Sequence, residues 1–209
     1  MLLKLLVFDC DGVLISSKEA NVAFYNHLVK QIGRHPLTEE EVEFIHMHSV
    51  KECLEFLVRE IPHKFNELWE VYQKTPYSMF FDYLTVEDGL YEFLEWAKPR
   101  FKIALCTNRS NSTEPLLNYL NLKHYFDFIM NATKIPKSDP RALGEILKFF
   151  EVKPEEVLYI GDSEVDLNLA KHFGVKLVAF KNPNLKGDFF VNSYKELKAL
   201  IEKNYLKPC

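Results

Sequence analysis

Two carboxylates one residue apart, Asp9 and Asp11, directly follow the apolar run Leu2–Phe8, and Gly12 comes next. Leu5-Leu6-Val7-Phe8 reads as a strand buried on both faces, so the chain leaves a sheet and at once presents two acids. In open α/β sheets the carboxyl ends of the strands are where ligands bind. Two acids placed there can share a divalent cation, and one can attack an electrophile while the other moves protons. An ordinary Asp-x-Asp-Gly turn has the same composition. Three later segments separate the two readings.

Thr107-Asn108-Arg109-Ser110 follows the buried run Ile103–Cys106, again at a strand's carboxyl end, where a hydroxyl and backbone N–H groups can hold phosphate oxygens. Lys137-Ser138-Asp139-Pro140 lies in a loop before a helix, with Pro140 expected at its first position. A lysine aimed into a carboxylate cluster offsets the charge of a nucleophile and of phosphoryl oxygens. Val157–Ile160 is a further buried run that ends in Gly161-Asp162-Ser163, with Asp166 four residues after Asp162. Asp162 is expected in the loop and Asp166 in the first turn of the next helix, which makes Asp162 a hard oxygen ligand suited to Mg²⁺. Each of these segments alone is also a turn, a cap or a solvated lysine; four strand ends of this kind are a pattern.

The elements that must position these groups can be read from periodicity. Strand-like runs recur at Leu2–Phe8, Phe101–Cys106, Phe126–Met130, Val157–Ile160, Lys176–Phe180 and Phe189–Val191. Helical patterns fall at Val86–Lys98, Ser112–Leu120, Pro140–Phe150, Glu164–Phe173 and Tyr194–Asn204. Alternation of this kind predicts βαβ units and an α/β fold, a Rossmann-like core with a mainly parallel sheet and helices on both faces. Ser193-x-x-Glu196 fits a capping box, and Gly174 a helix stop. Residues 15–85 differ: they show no strand-like run and read as successive amphipathic helices, with Thr38-x-x-Glu41 capping the second. The expected organisation is therefore an α/β catalytic core of residues 1–14 and 86–209 with an all-helical cap domain, 15–85, inserted into it.

The 209 residues carry 47% hydrophobic and 27% charged side chains, the balance of a globular protein. The charge sum, 26 − 30 = −4, comes without a clustered basic face, so no nucleic-acid partner is expected. The apolar N-terminus reaches Asp9 too soon for a signal peptide, and no run is long enough to cross a membrane; a cytoplasmic protein is expected. Cys10, Cys53, Cys106 and Cys209 fit no zinc or disulfide spacing. Cys10 stands between the two acids but faces away from them by strand alternation, with no histidine nearby in sequence to activate it. His46 and His48, at i and i+2, diverge on a helix, which disfavours a metal site there. Phe80-Phe81 and Tyr83 read as packing residues near the end of the helical insertion.

Asp-x-Asp-Gly-Val-Leu, Thr-Asn-Arg, Lys-x-x-Pro and Gly-Asp-Ser-x-x-Asp, in this order, resemble the motifs of the haloacid dehalogenase-like hydrolase superfamily, and within it the phosphoglycolate phosphatase-like branch with a helical cap. The resemblance runs from Leu3 to about Phe180. It implies that Asp9 is a nucleophile that becomes an aspartyl-phosphate and that Asp11 is the general acid/base. It also implies that Thr107 holds phosphate and Lys137 stabilises charge. Asp9, the Asp11 carbonyl and Asp162 would hold Mg²⁺, and Asp166 would support the metal shell or orient Lys137. Gly12, Asn108 and Arg109 would contact substrate, Arg109 alternatively capping a carboxylate. Ser16 stands where this branch often has an acid, and Lys-Ser-Asp-Pro where Lys-Pro-x-Pro is common. Pro140, three residues after Lys137, favours Lys137 over Lys134 for the lysine role.

The expected activity is a Mg²⁺-dependent phosphomonoesterase acting on a small phosphorylated metabolite, with neither nucleic acid nor membrane as partner, as a monomer or homodimer. Asp11 argues against a dehalogenase, which needs no leaving-group acid, and against a phosphonate hydrolase. A phosphosugar mutase keeps all four motifs and is the alternative. A catalytically inactive binding protein would be expected to have lost Asp9, Asp11 or Asp162, and all three are present.

Overall fold

A computed structural model describes residues 2–48 and 50–206, and within it the chain divides into two compact units. One comprises the residues up to Ser16 together with those from Val86 onward; the other is Ser17–Thr85. The first is built on strands β1 (Leu5–Phe8), β4 (Lys102–Cys106), β5 (Phe128–Met130), β6 (Val157–Gly161), β7 (Lys176–Phe180) and β8 (Phe189–Val191). These form one sheet in the order β5-β4-β1-β6-β7-β8, and every pairing is parallel. Two further strands of two residues each, β2 (Ile15–Ser16) and β3 (Thr85–Val86), mark where the chain passes between the units. They are too short to leave a periodic signal, and Ile15–Ser16 corrects the expectation that the insertion starts without strand.

β1 is wholly buried because both faces of the sheet are covered. Leu5 and Val7 face a core shared with Ala142, Leu143 and Ile146 of α7 (Arg141–Phe150) and Leu167, Leu169 and Ala170 of α8 (Glu164–Phe173). On the other face Phe8 meets Phe93 of α5 (Leu90–Ala97) edge-on, at 6.1 Å between centroids. Phe93 in turn packs on Tyr194 of α9 (Tyr194–Tyr205), at 5.2 Å. Side chains of this size contribute roughly 1.5–3 kcal/mol each on full burial. The remaining helix of this unit is α6 (Thr113–Tyr119).

Chain direction follows from the winding. From β1 the sheet grows through β4 and β5 to one side and through β6, β7 and β8 to the other, so the strand order reverses beside β1. Crevices at the carboxyl ends of such a reversal are where doubly wound sheets bind ligands. Asp9, Thr107 and Asp162 each follow directly on β1, β4 and β6.

Helix ends match the sequence in most places. Ser163 and Asp166 form a reciprocal capping box at α8, and Gly174 ends it at φ 71°. Two ends differ. Pro140 is the residue before α7 rather than its first residue, because Asp139 Oδ1 accepts the Arg141 N–H and opens the helix one position later. At α9, Ser193 accepts from the Glu196 N–H, but Glu196 reaches past Ser193 to the Asn192 N–H at 2.8 Å, so the box is only half formed.

The helical unit contains α1 (Lys18–Gln31), α2 (Glu39–Met47), α3 (Val50–Leu57) and α4 (Phe65–Lys74). Its core gathers Ala20, Phe24, Leu28, Leu54, Leu57 and Leu68, residues at helical spacing on their own elements. Phe80 joins this core at 5.5 Å from Phe24, whereas Tyr83 is exposed. Thr38 and Glu41 complete their capping box, and the buried Glu41 carboxylate also accepts from Arg34 and Arg59. No helix among the described residues is long and apolar enough to cross a membrane.

Candidate active site

β1 delivers Asp9 into the sheet mouth, where the residue is only 5% exposed. The Cys10 N–H donates to Asp9 Oδ1 at 2.7 Å, and Lys137 Nζ lies 2.8 Å from Asp9 Oδ2. Lys137 is equally close to Asp166 Oδ1, at 2.7 Å, so one buried ammonium bridges two buried carboxylates. Burial opposes the charge on Lys137, but Asp9 and Asp166 outweigh it and raise its pKa, so it stays protonated. Asp9 also departs from an ordinary carboxylate. Burial and the charge of Asp166 raise its pKa well above the usual range despite Lys137.

Asp166 is saturated by donors. Its Oδ1 accepts from Lys137 and from the Tyr159 hydroxyl at 3.0 Å, and its Oδ2 from Ser163 Oγ at 2.6 Å and Ser163 N at 3.2 Å. Four donors fill the lone-pair sites of a carboxylate. Between the two roles that the sequence left open for Asp166, this geometry favours orienting Lys137. Gly161 lets it sit so close, because a Cβ there would fall 2.6 Å from the Asp166 Cβ.

Asp162 begins the loop after β6, and burial together with the Asp166 charge raises its pKa to about 6. Its main-chain carbonyl accepts from Asn182 Nδ2 at 2.8 Å. Gly12 makes room for it. At φ 77°, a Cβ on residue 12 would stand 1.9 Å from Asp162 Oδ2. Carboxylate oxygens of Asp9, Asp162 and Asp166 all lie within 4.8 Å of one another.

Asp11 is held differently. Arg109 Nε donates to its Oδ2 at 2.8 Å and Nη2 to its Oδ1 at 2.7 Å, a two-pronged ion pair. Thr107 is 1% exposed, and its Oγ1 accepts the Arg109 N–H at 3.1 Å. Asn108 Oδ1 accepts the Lys137 N–H at 2.8 Å, which ties the loop after β4 to the lysine loop. Four carboxylates (Asp9, Asp11, Asp162, Asp166) thus face two cations (Lys137, Arg109), a formal sum of −4 + 2 = −2. An all-oxygen donor set with an excess of two negative charges fits a hard divalent cation.

The competing sequence candidates lie elsewhere. Lys134 Nζ donates to the Ile129 carbonyl at 2.7 Å, over the Phe128 ring. His48 is not on a helix face; it caps α2, stacks on Phe44 at 3.7 Å and bonds its carbonyl. Cys10 is buried, and desolvation raises its thiol pKa, the reverse of an activated nucleophile. Cys53 and Cys106 are buried free thiols; Cys209 lies outside the described residues. Sequence reasoning missed Tyr159, which reads as core inside an apolar strand, and Asn182. Asn182 follows β7, so the carboxyl-end rule that found the other loops points to it as well.

The haloacid dehalogenase-like hydrolase family pattern matches residues 6–180. A crystal structure of a HAD-superfamily hydrolase, subfamily IA, variant 1, from Geobacter sulfurreducens superposes with a TM-score of 0.88 at 33% identity, covering 95% of this chain and 96% of that one. Phosphoglycolate phosphatase from Pseudomonas fluorescens strain Pf-5 is 30% identical over 190 residues, 84% of this chain and 68% of the relative. Pyrophosphatase PpaX of Bacillus mycoides is 25% identical over 215 residues, 100% of this chain and 97% of the relative. With its sheet order, its strand-end acids and the extent of the match, the chain belongs to the haloacid dehalogenase-like hydrolase family.

Proposed function

We propose that the protein is a Mg²⁺-dependent phosphatase that hydrolyses a small phosphorylated metabolite through an aspartyl-phosphate on Asp9, with a phosphoglycolate-like ester as the reference substrate. The observation that carries this reading is the buried Lys137 between Asp9 and Asp166, at 2.8 and 2.7 Å. A carboxylate attacks a dianionic phosphate only where positive charge offsets their repulsion, and a fixed lysine beside Asp9 supplies part of it. Relatives named for phosphoglycolate phosphatase activity support the substrate class.

In this account an Asp9 oxygen attacks phosphorus and the ester P–O bond breaks. Asp11, as the acid, gives its proton to the departing alkoxide. Asp11 then takes a proton from the water that attacks the phosphorylated Asp9, releasing inorganic phosphate and restoring both groups. The Thr107 oxygen accepts from Arg109 N, so its O–H is the half able to donate to a phosphoryl oxygen. Asp9, the Asp11 carbonyl and Asp162 would hold Mg²⁺, which supplies neutralisation of the phosphoryl charge. Asp166 keeps Lys137 charged and in place. Gly12 keeps Asp162 near Asp9, and Asn108 and Arg109 serve the substrate side. The helical unit Ser17–Thr85 is assigned the family's cap role, substrate selection.

Release of inorganic phosphate from p-nitrophenyl phosphate and from a panel of phosphorylated metabolites, with Mg²⁺ and with chelator, tests the proposal. Mg²⁺-dependent release supports it. Transfer of phosphate between positions of a sugar without release points to the mutase alternative, and neither activity refutes both.

A further inference from the structure

The ion pair between Arg109 and Asp11 joins partners of unequal mobility. Arg109 is anchored on every side: its N–H is bound to Thr107 Oγ1, its carbonyl accepts from Ala132 N at 2.9 Å, and its side chain is only 9% exposed. The Asp11 side chain is 39% exposed, while its flanking backbone is pinned by the Gly12 N–H to Ile15 carbonyl bond at 2.8 Å. Rotation of the Asp11 side chain therefore empties the guanidinium fork without moving the main chain. The fork then presents two N–H donors with the spacing of a planar carboxylate, because a carboxylate occupies it at rest.

We propose that Arg109 is the receptor for a carboxylate on the leaving-group side of the substrate and that Asp11 is its internal placeholder, displaced when such a substrate binds. The inference rests on the phosphatase reading above and assigns the residue that would recognise the acid end of its reference substrate. Exchange of one carboxylate for another keeps the enclosed guanidinium paired, and the carboxylate that is displaced is the more exposed Asp11. It also turns Asp11 away from Arg109 only when the correct ester is present. An ester without the carboxylate gains nothing at Arg109 and leaves Asp11 clamped. Discrimination thus comes from a site that penalises the analogue lacking the expected group.

The test compares 2-phosphoglycolate with ethyl phosphate, which has a methyl group where the acid has its carboxylate, in the full-length enzyme with Mg²⁺. Wild type is expected to show a higher kcat/KM for 2-phosphoglycolate. Arg109→Gln should lower the ratio of the two kcat/KM values by about 10²-fold, the scale of losing charge-assisted hydrogen bonds. Arg109→Lys, which keeps charge without the fork, should fall between. Leaving-group differences cancel in the comparison of ratios. The proposal is overturned if wild type does not prefer the carboxylate ester, a result that needs no variant, or if both substitutions leave the ratio where it was. Equal losses on both esters also overturn it, and assign Arg109 to the transferred phosphoryl group or to holding Asp11. If wild type releases phosphate from neither ester nor from p-nitrophenyl phosphate, the phosphatase reading itself fails.

Discussion

Lys137→Met removes the ammonium between Asp9 and Asp166 while keeping much of the apolar stem. The two carboxylates lie within 4.8 Å, where unit charges repel by about 3.5 kcal/mol at an effective dielectric of about 20. Removing one member of a buried, hydrogen-bonded ion pair typically costs about 3–5 kcal/mol, in the same range. For a chain of this size the melting temperature should fall by about 10 °C at neutral pH. Two dependences identify the cause. Added Mg²⁺ should raise the variant's melting temperature more than that of wild type, because it replaces part of the missing charge. Acidification should shrink the deficit. Burial and Asp166 already raise the Asp9 pKa, and without Lys137 it rises further, so protonation on lowering the pH relieves the repulsion and raising the pH restores it. Differential scanning fluorimetry across pH and Mg²⁺ concentration reads all three. A variant melting with wild type, insensitive to both variables, would refute the charge balance described for the site.

Two further substitutions test separate parts of the geometry. Gly12→Ala should lose most Mg²⁺-dependent activity and about 1–2 kcal/mol of stability, because the position has φ 77° and the new Cβ collides with Asp162 Oδ2; a variant with wild-type activity and half-saturating Mg²⁺ contradicts the placement of Asp162. Asp11→Asn should slow esters with poor leaving groups by about 10²–10⁴-fold and p-nitrophenyl phosphate far less, measured as kcat for each; equal loss on both would remove Asp11 from the acid role.

Much of this arrangement is legible in the chain because strand ends announce themselves locally. An apolar run followed by Asp-x-Asp-Gly or Gly-Asp-Ser needs no knowledge of the rest of the fold, and the alternation of runs and helical patterns predicts the parallel sheet. What the sequence hides are partnerships made across the sheet. Arg109 and Asp11 are 98 positions apart, and nothing near either shows that they pair. Tyr159 sits inside a buried strand, so its hydroxyl reads as incidental until Asp166 is seen 3.0 Å away. The choice between metal support and lysine orientation for Asp166 depends on counting its donors, which only coordinates allow. Pro140 falls just outside α7 because Asp139 Oδ1 accepts the Arg141 N–H, and the Glu196 carboxylate accepts from the Asn192 N–H in place of Ser193's, local competitions that propensity does not resolve.

The Asp9 carboxylate is proposed as the group that takes the phosphoryl. Rapid-quench incubation with Mg²⁺ and phosphate-labelled substrate, followed by peptide mapping under acidic conditions, measures it directly. The expected result is a label on the peptide containing Asp9 that is cleaved by hydroxylamine, as an acyl phosphate is, and is lost in Asp9→Asn together with turnover. Turnover by a folded Asp9→Asn enzyme at the wild-type rate, or label on another residue, would contradict it.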